Sequence, residues 1–130
     1  MVAQAVGSFD NGKAQDWVDY LMEHVDDPWY LDFTFDAVGA DRSDVDRCRE
    51  AIAAAELVAA AGHKARPGLD DEVQRWVERH WTELWNGKRR PALGAVREIL
   101  RSSALRALWE KTDQFEAWQA DVEELAERLS

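Results

Sequence analysis

The run Ala51-Ile52-Ala53-Ala54-Ala55-Glu56-Leu57-Val58-Ala59-Ala60-Ala61-Gly62 holds one ionisable side chain, Glu56, among small and aliphatic ones. It predicts a helix that other backbones approach closely, placed at the centre of a bundle. At about 100° per residue, Val45, Ile52 and Ala59 share an apolar stripe, and Glu56 falls within roughly 20–60° of each. A carboxylate there must accept hydrogen bonds, meet a cation or stay protonated. Glu56 is therefore either a structural peg or the centre of a site, and both readings stand at this point.

Helical signals surround that segment. Asp10 or Asn11 caps a first helix with Ala14, Trp17, Val18, Leu21 and Val25 on one face. Asp27-Pro28 starts a second, Trp29 to Val38, which Gly39 ends, although the alternation of Phe33-Thr34-Phe35 would also allow a short strand. Ser43 caps the alanine-rich helix, which runs to Gly62 and gives way to a turn over 63–68. Asp70 or Asp71 opens a helix with Val73, Trp76, Val77, His80 and Leu84 on its stripe, stopped by Asn86-Gly87, and Pro91 begins the next. Ser102-Ser103 breaks the chain before a short helix holding Leu105, Leu108 and Trp109. The last helix starts at Thr112 or Asp113, with an Asp113–Glu116 capping box and a Phe115, Trp118, Val122, Leu125, Leu129 stripe. The expectation is one all-α domain over residues 1–130, a compact bundle of about six helices around the alanine-rich one.

Composition narrows the function classes. The net charge is −10, and residues 1–48 carry eleven acids against three bases. Such acidity argues against nucleic-acid binding, whose affinity rests on cations, and suits a basic protein partner. No uncharged stretch approaches the ~20 residues of a membrane span. The start shows no secretory signal, and the single cysteine, Cys48, cannot form an intramolecular disulfide, so a cytoplasmic protein is expected. His24, Cys48, His63 and His80 are scattered without metal-ligand spacing, and no glycine-rich phosphate loop is present. Neither metal nor cofactor is expected.

Two constellations remain. Arg49 and His63 lie seven residues on either side of Glu56, and Asp10 and Asn11 sit at the start of the first helix. Together they form a polar cluster that is either structural or a candidate acid–base site. Trp81 and Trp85, one turn apart and followed by Lys88-Arg89-Arg90, form a candidate aromatic and cationic interface. Trp17, Trp76, Trp109 and Trp118 fall on core stripes instead.

Three segments carry a resemblance: Gly7-Ser8-Phe9-Asp10-Asn11 leading to Asp16-Trp17, Ala53 to Ala60 around Glu56, and Leu105-x-x-Leu108-Trp109-Glu110 with Trp118 beyond. In this order they resemble the bacterial domain of unknown function 4259 family. The family's usual Met-Gly-x-Trp-Gly start is replaced here by Met1-Val2-Ala3-Gln4-Ala5. The resemblance implies a compact helical domain of bacterial origin and no particular reaction. It emphasises Phe9, Asn11, Asp16, Trp17, Glu56, Leu108 and Trp109.

Small size, acidic ends and the lack of a catalytic motif point to a non-catalytic protein-binding module, with an antitoxin or immunity-like role as one version. The alternative is a small enzyme or ligand-binding domain built around Glu56. A structural oligomer burying Trp81 and Trp85 is a third.

Overall fold

The computed structural model describes residues 6–130. Among these residues the chain forms seven helices and no strand: α1 (Gly12–His24), α2 (Trp29–Ala40), α3 (Val45–Ala61), α4 (Asp71–Arg79), α5 (Trp81–Arg101), α6 (Ala104–Glu110) and α7 (Phe115–Leu129). The expected all-α class holds, with seven helices in place of about six. No described helix is long and apolar enough to cross a membrane.

α3 is the axis, because every other helix touches it. From Ala51 to Ala59 each of its residues is buried, which alanines permit by letting neighbouring backbones close in. Its cap lies one residue later than expected. Asp41 Oδ1 accepts from both the Ser43 N–H (2.8 Å) and the Ser43 hydroxyl (2.5 Å), so Asp44 takes over and accepts from the Asp46 and Arg47 N–H groups. Asn11 caps α1 through the Ala14 N–H at 2.8 Å, and Ser103 caps α6 through the Arg106 N–H at 3.0 Å. At α7 the expected box gives way to Thr112, whose hydroxyl donates to the Trp109 carbonyl and accepts from the Gln114 N–H. Gly39 does not stop α2, which continues to Ala40.

The largest departure lies between residues 71 and 101. The chain breaks at His80 and then runs unbroken through Asn86, Gly87 and Pro91. Pro91 offers no N–H to the Gly87 carbonyl, a local loss. Against it stands one continuous face of α5, on which Leu84, Ala92, Ala95, Val96 and Ile99 are buried. A stop at Gly87 would take those residues out of phase, and burying each apolar side chain contributes roughly 1.5–3 kcal/mol. At His80 the backbone turns (φ −120°, ψ 16°), and the imidazole packs at a tilt against Trp76 and lies 2.8 Å from Asp26. The hydrogen bond from His80 lowers the Asp26 pKa, with Arg79 adding to it.

All four tryptophans expected in the core are buried. The Trp17 indole donates to Thr34 Oγ1 (3.1 Å) and the Trp76 indole to the Val25 carbonyl (3.1 Å), while Trp109 and Trp118 stack at 6.5 Å. Cys48 is buried as well, and burial pushes its thiol pKa up.

Candidate functional site

The middle of α3 presents Glu56 to three other parts of the chain. Its Oε2 accepts from the Ser8 hydroxyl (2.7 Å), Arg66 (3.1 Å) and Arg128 (3.1 Å), and its Oε1 accepts from Arg128 (2.7 Å). Arg66 also donates to Ser8 Oγ and to both Asp121 oxygens, and Arg128 to the Lys64 carbonyl and Glu124. Ser8 ahead of α1, the loop after α3 and the α7 helix are thus tied to one carboxylate. Burial works against the charge on Arg66, but Asp121 and Glu56 outweigh it and raise the guanidinium pKa. Arg128 follows the same pattern, with Glu56 and Glu124 outweighing burial.

The Glu56 side chain is only 1% exposed, and among the described residues no buried side-chain nitrogen or oxygen lacks a partner. Both carboxylate oxygens face charged donors, so the geometry does not offer Glu56 to a substrate as acid or base.

The partners expected from heptad spacing are not the ones found. Seven residues advance a helix by about 10.5 Å, so Arg49 shares Glu56's side but sits two turns away. It pairs with Asp46 at 3.7 Å instead. His63 leaves the helix altogether: α3 ends at Ala61, and His63 takes a left-handed backbone (φ 61°). Its N–H bonds to the Ala60 carbonyl and that of Lys64 to Ala59, which closes the helix end. Glycine suits that conformation best, yet the glycine stands one position earlier. A Cβ on Gly62 would lie 2.4 Å from the Trp85 ring, so Gly62 is needed for close approach.

Asp10 accepts from the Gly7 N–H at 3.0 Å, and Asn11 is occupied as the α1 cap. Asp10, Asn11 and Arg49 do meet, with Ser8 and Asp121, around a crevice of about 30 Å³. That space suits a water molecule.

These contacts assemble residues from both ends of the chain, and the family comparison covers nearly the same span. The profile described as Domain of unknown function (DUF4259) matches residues 3–121. The chain belongs to the DUF4259 family. No curated protein and no solved structure matches it. The DUF4259 match includes Ser8, Glu56 and Arg66 and ends at Asp121, while Arg128 lies past it. The unusual start of this DUF4259 chain, Met1 to Ala5, lies outside the described residues.

The expected Trp81/Trp85 interface is partly spent within the DUF4259 fold. Trp85 is half-buried, with Lys64 5.6 Å and Arg89 5.3 Å from its ring centre. Lys88 pairs with Asp32 at 2.7 Å, and Arg89 also donates to the Leu129 carbonyl. Trp81, 51% exposed, and Arg90 face solvent.

A more extensive surface lies on α1 and α2, and the residue patterns did not reveal it. Tyr20, Trp29 and Phe33 are 49%, 47% and 63% exposed. Trp29 meets Phe33 edge-on at 5.2 Å and Tyr30 at 6.0 Å, and Tyr20 meets Tyr30 at 5.7 Å. Beside them runs a groove of about 320 Å³, lined by Trp17, Trp29 and Phe33 and by Arg47 and Glu50. Burial raises the Tyr30 pKa, and the neighbouring Tyr20 and Glu50 add to the rise. The available signal was α2 being apolar on two faces: Leu31, Phe35 and Val38 point inward, and Trp29 and Phe33 point outward.

Proposed function

We propose that this protein is a non-catalytic binding module that docks a basic, partly apolar segment of another protein on its α1–α2 aromatic face. The observation that carries the reading is the contiguous exposure of Tyr20, Trp29 and Phe33 next to a groove. Isolated exposed apolar residues are ordinary, but a cluster of large aromatics beside a concavity is the composition of interface hot spots. Covering such a side chain contributes roughly 1.5–3 kcal/mol. The flanks favour a cation: Asp16, Asp19 and Asp36 on the same two helices are exposed and form no ion pair among the described residues. The partner is then apolar at its centre and basic at its rim, which suits an antitoxin-like or immunity-like role in the cytoplasm. The saturated Glu56 cluster fits the same reading, as a structural tie and not a reaction centre.

The test is capture from the native host at low and high salt, with the parent protein and a Trp29→Ala/Phe33→Ala variant side by side. The parent retains one stoichiometric partner that salt releases, and the folded variant loses it. A partner held equally by the variant, or no stoichiometric partner, would reject this face. Dimerisation through the same aromatics, read by light scattering, would assign it to a second copy instead.

A further inference from the structure

A second concavity, about 380 Å³, opens where the end of α3 faces the junction of α4 and α5, and it shares no lining residue with the aromatic face. Ala60, Ala65, Leu69 and Val77 supply apolar lining. Trp81, Glu78 and His63 also border it. Its volume lies within the range of small-molecule sites, and its make-up of apolar surface with a few polar groups is the usual one.

Trp85 and Trp81 show what this groove lacks. Trp85 already has Lys64 and Arg89 against its ring. Trp81, one turn earlier, is half exposed, and no described cation stacks on it. Glu78 beside it forms no ion pair among the described residues. The nearby Gln74 is already engaged, its amide donating to the Leu69 carbonyl at 2.8 Å. A bare indole face next to an unpaired carboxylate is complementary to a flat cation, which stacks on one and hydrogen-bonds to the other. His63 adds a third element, since its imidazole stands at the groove on a backbone that glycine would adopt with less strain. Left-handed non-glycine residues gather at ligand clamps.

We propose that this groove binds a small planar organic cation of the amidinium or guanidinium class, stacked on Trp81 with its charge on Glu78 and its edge toward His63. The proposal stands independently of the docking face. Benzamidine and its uncharged isostere benzamide are the probes, titrated into the full chain while NMR follows the Trp81 indole and the His63 amide. Benzamidine shifts both resonances saturably, and benzamide binds at least about tenfold more weakly. Glu78→Gln and Trp81→Ala, both at exposed side chains, each weaken benzamidine by at least about fivefold with the fold intact. Absence of saturable shifts, equal binding of benzamide, or a Glu78→Gln variant that binds like the parent would each overturn the assignment.

Discussion

The Glu56 cluster and the α1–α2 aromatic face are both places where a residue sits against its chemical preference, and the fold treats them in opposite ways. Glu56 is a carboxylate in the core, and three other segments of the chain converge to satisfy it. Trp29 and Phe33 are large aromatics on the surface, and nothing described covers them. An unmet carboxylate in the interior costs several kcal/mol, so a chain that folds must answer it internally. An exposed aromatic costs the isolated protein little, so it can be left for something outside. The lesson is that a satisfied anomaly reports on architecture, whereas an unsatisfied one marks where to test for a partner.

Glu56→Ala tests the first half of that contrast most severely. It leaves Arg66 and Arg128 without their shared counter-charge and should cost about 3 kcal/mol in urea or thermal unfolding. That is the lower part of the range for buried pairs, because both guanidinium groups keep some contact with water. Glu56→Gln should lose nearly as much, since the amide keeps the volume but not the charge. A Gln variant as stable as the parent would show that shape and hydrogen bonding, not ion pairing, hold the centre.

His63→Gly probes a smaller tension in the opposite direction. Relieving the left-handed backbone should raise stability by about 0.5 kcal/mol, with the melting temperature as the readout. A loss of stability would mean that the imidazole makes a contribution larger than the strain. The smallest effect belongs to the aromatic face. Trp29→Ala and Phe33→Ala should each change unfolding free energy by no more than about 0.5 kcal/mol. A cost of several kcal/mol would turn the face into part of the core and erase the comparison.

Much of the helical plan was legible in local patterns. Asn11 and Ser103 announce helix starts, and the Trp118–Leu129 stripe announces α7, because capping and periodicity act over four residues or so. The break at His80 was not legible. Asn86, Gly87 and Pro91 carry the stronger local stop signals, but they are overruled by burial along α5 that depends on where α3 lies. The site was less legible still. Glu56 is visible as an anomaly, yet Arg66 is one basic residue in a turn and Arg128 lies 72 positions away. Separation in sequence carries no signal of contact. Spacing along one helix pointed to Arg49, correct in direction and two turns too far.

By itself, the sequence determined that the chain would be helical, that the alanine-rich segment would sit at the centre, and that Glu56 would need donors there. Only the tertiary structure decided that Ser8, Arg66 and Arg128 would supply them, and that Trp29 and Phe33 would be left outside. The physical reason is the range of the interactions. Helix formation and capping are settled between near neighbours, whereas the partner of a buried charge and the exposure of an aromatic depend on how distant segments pack.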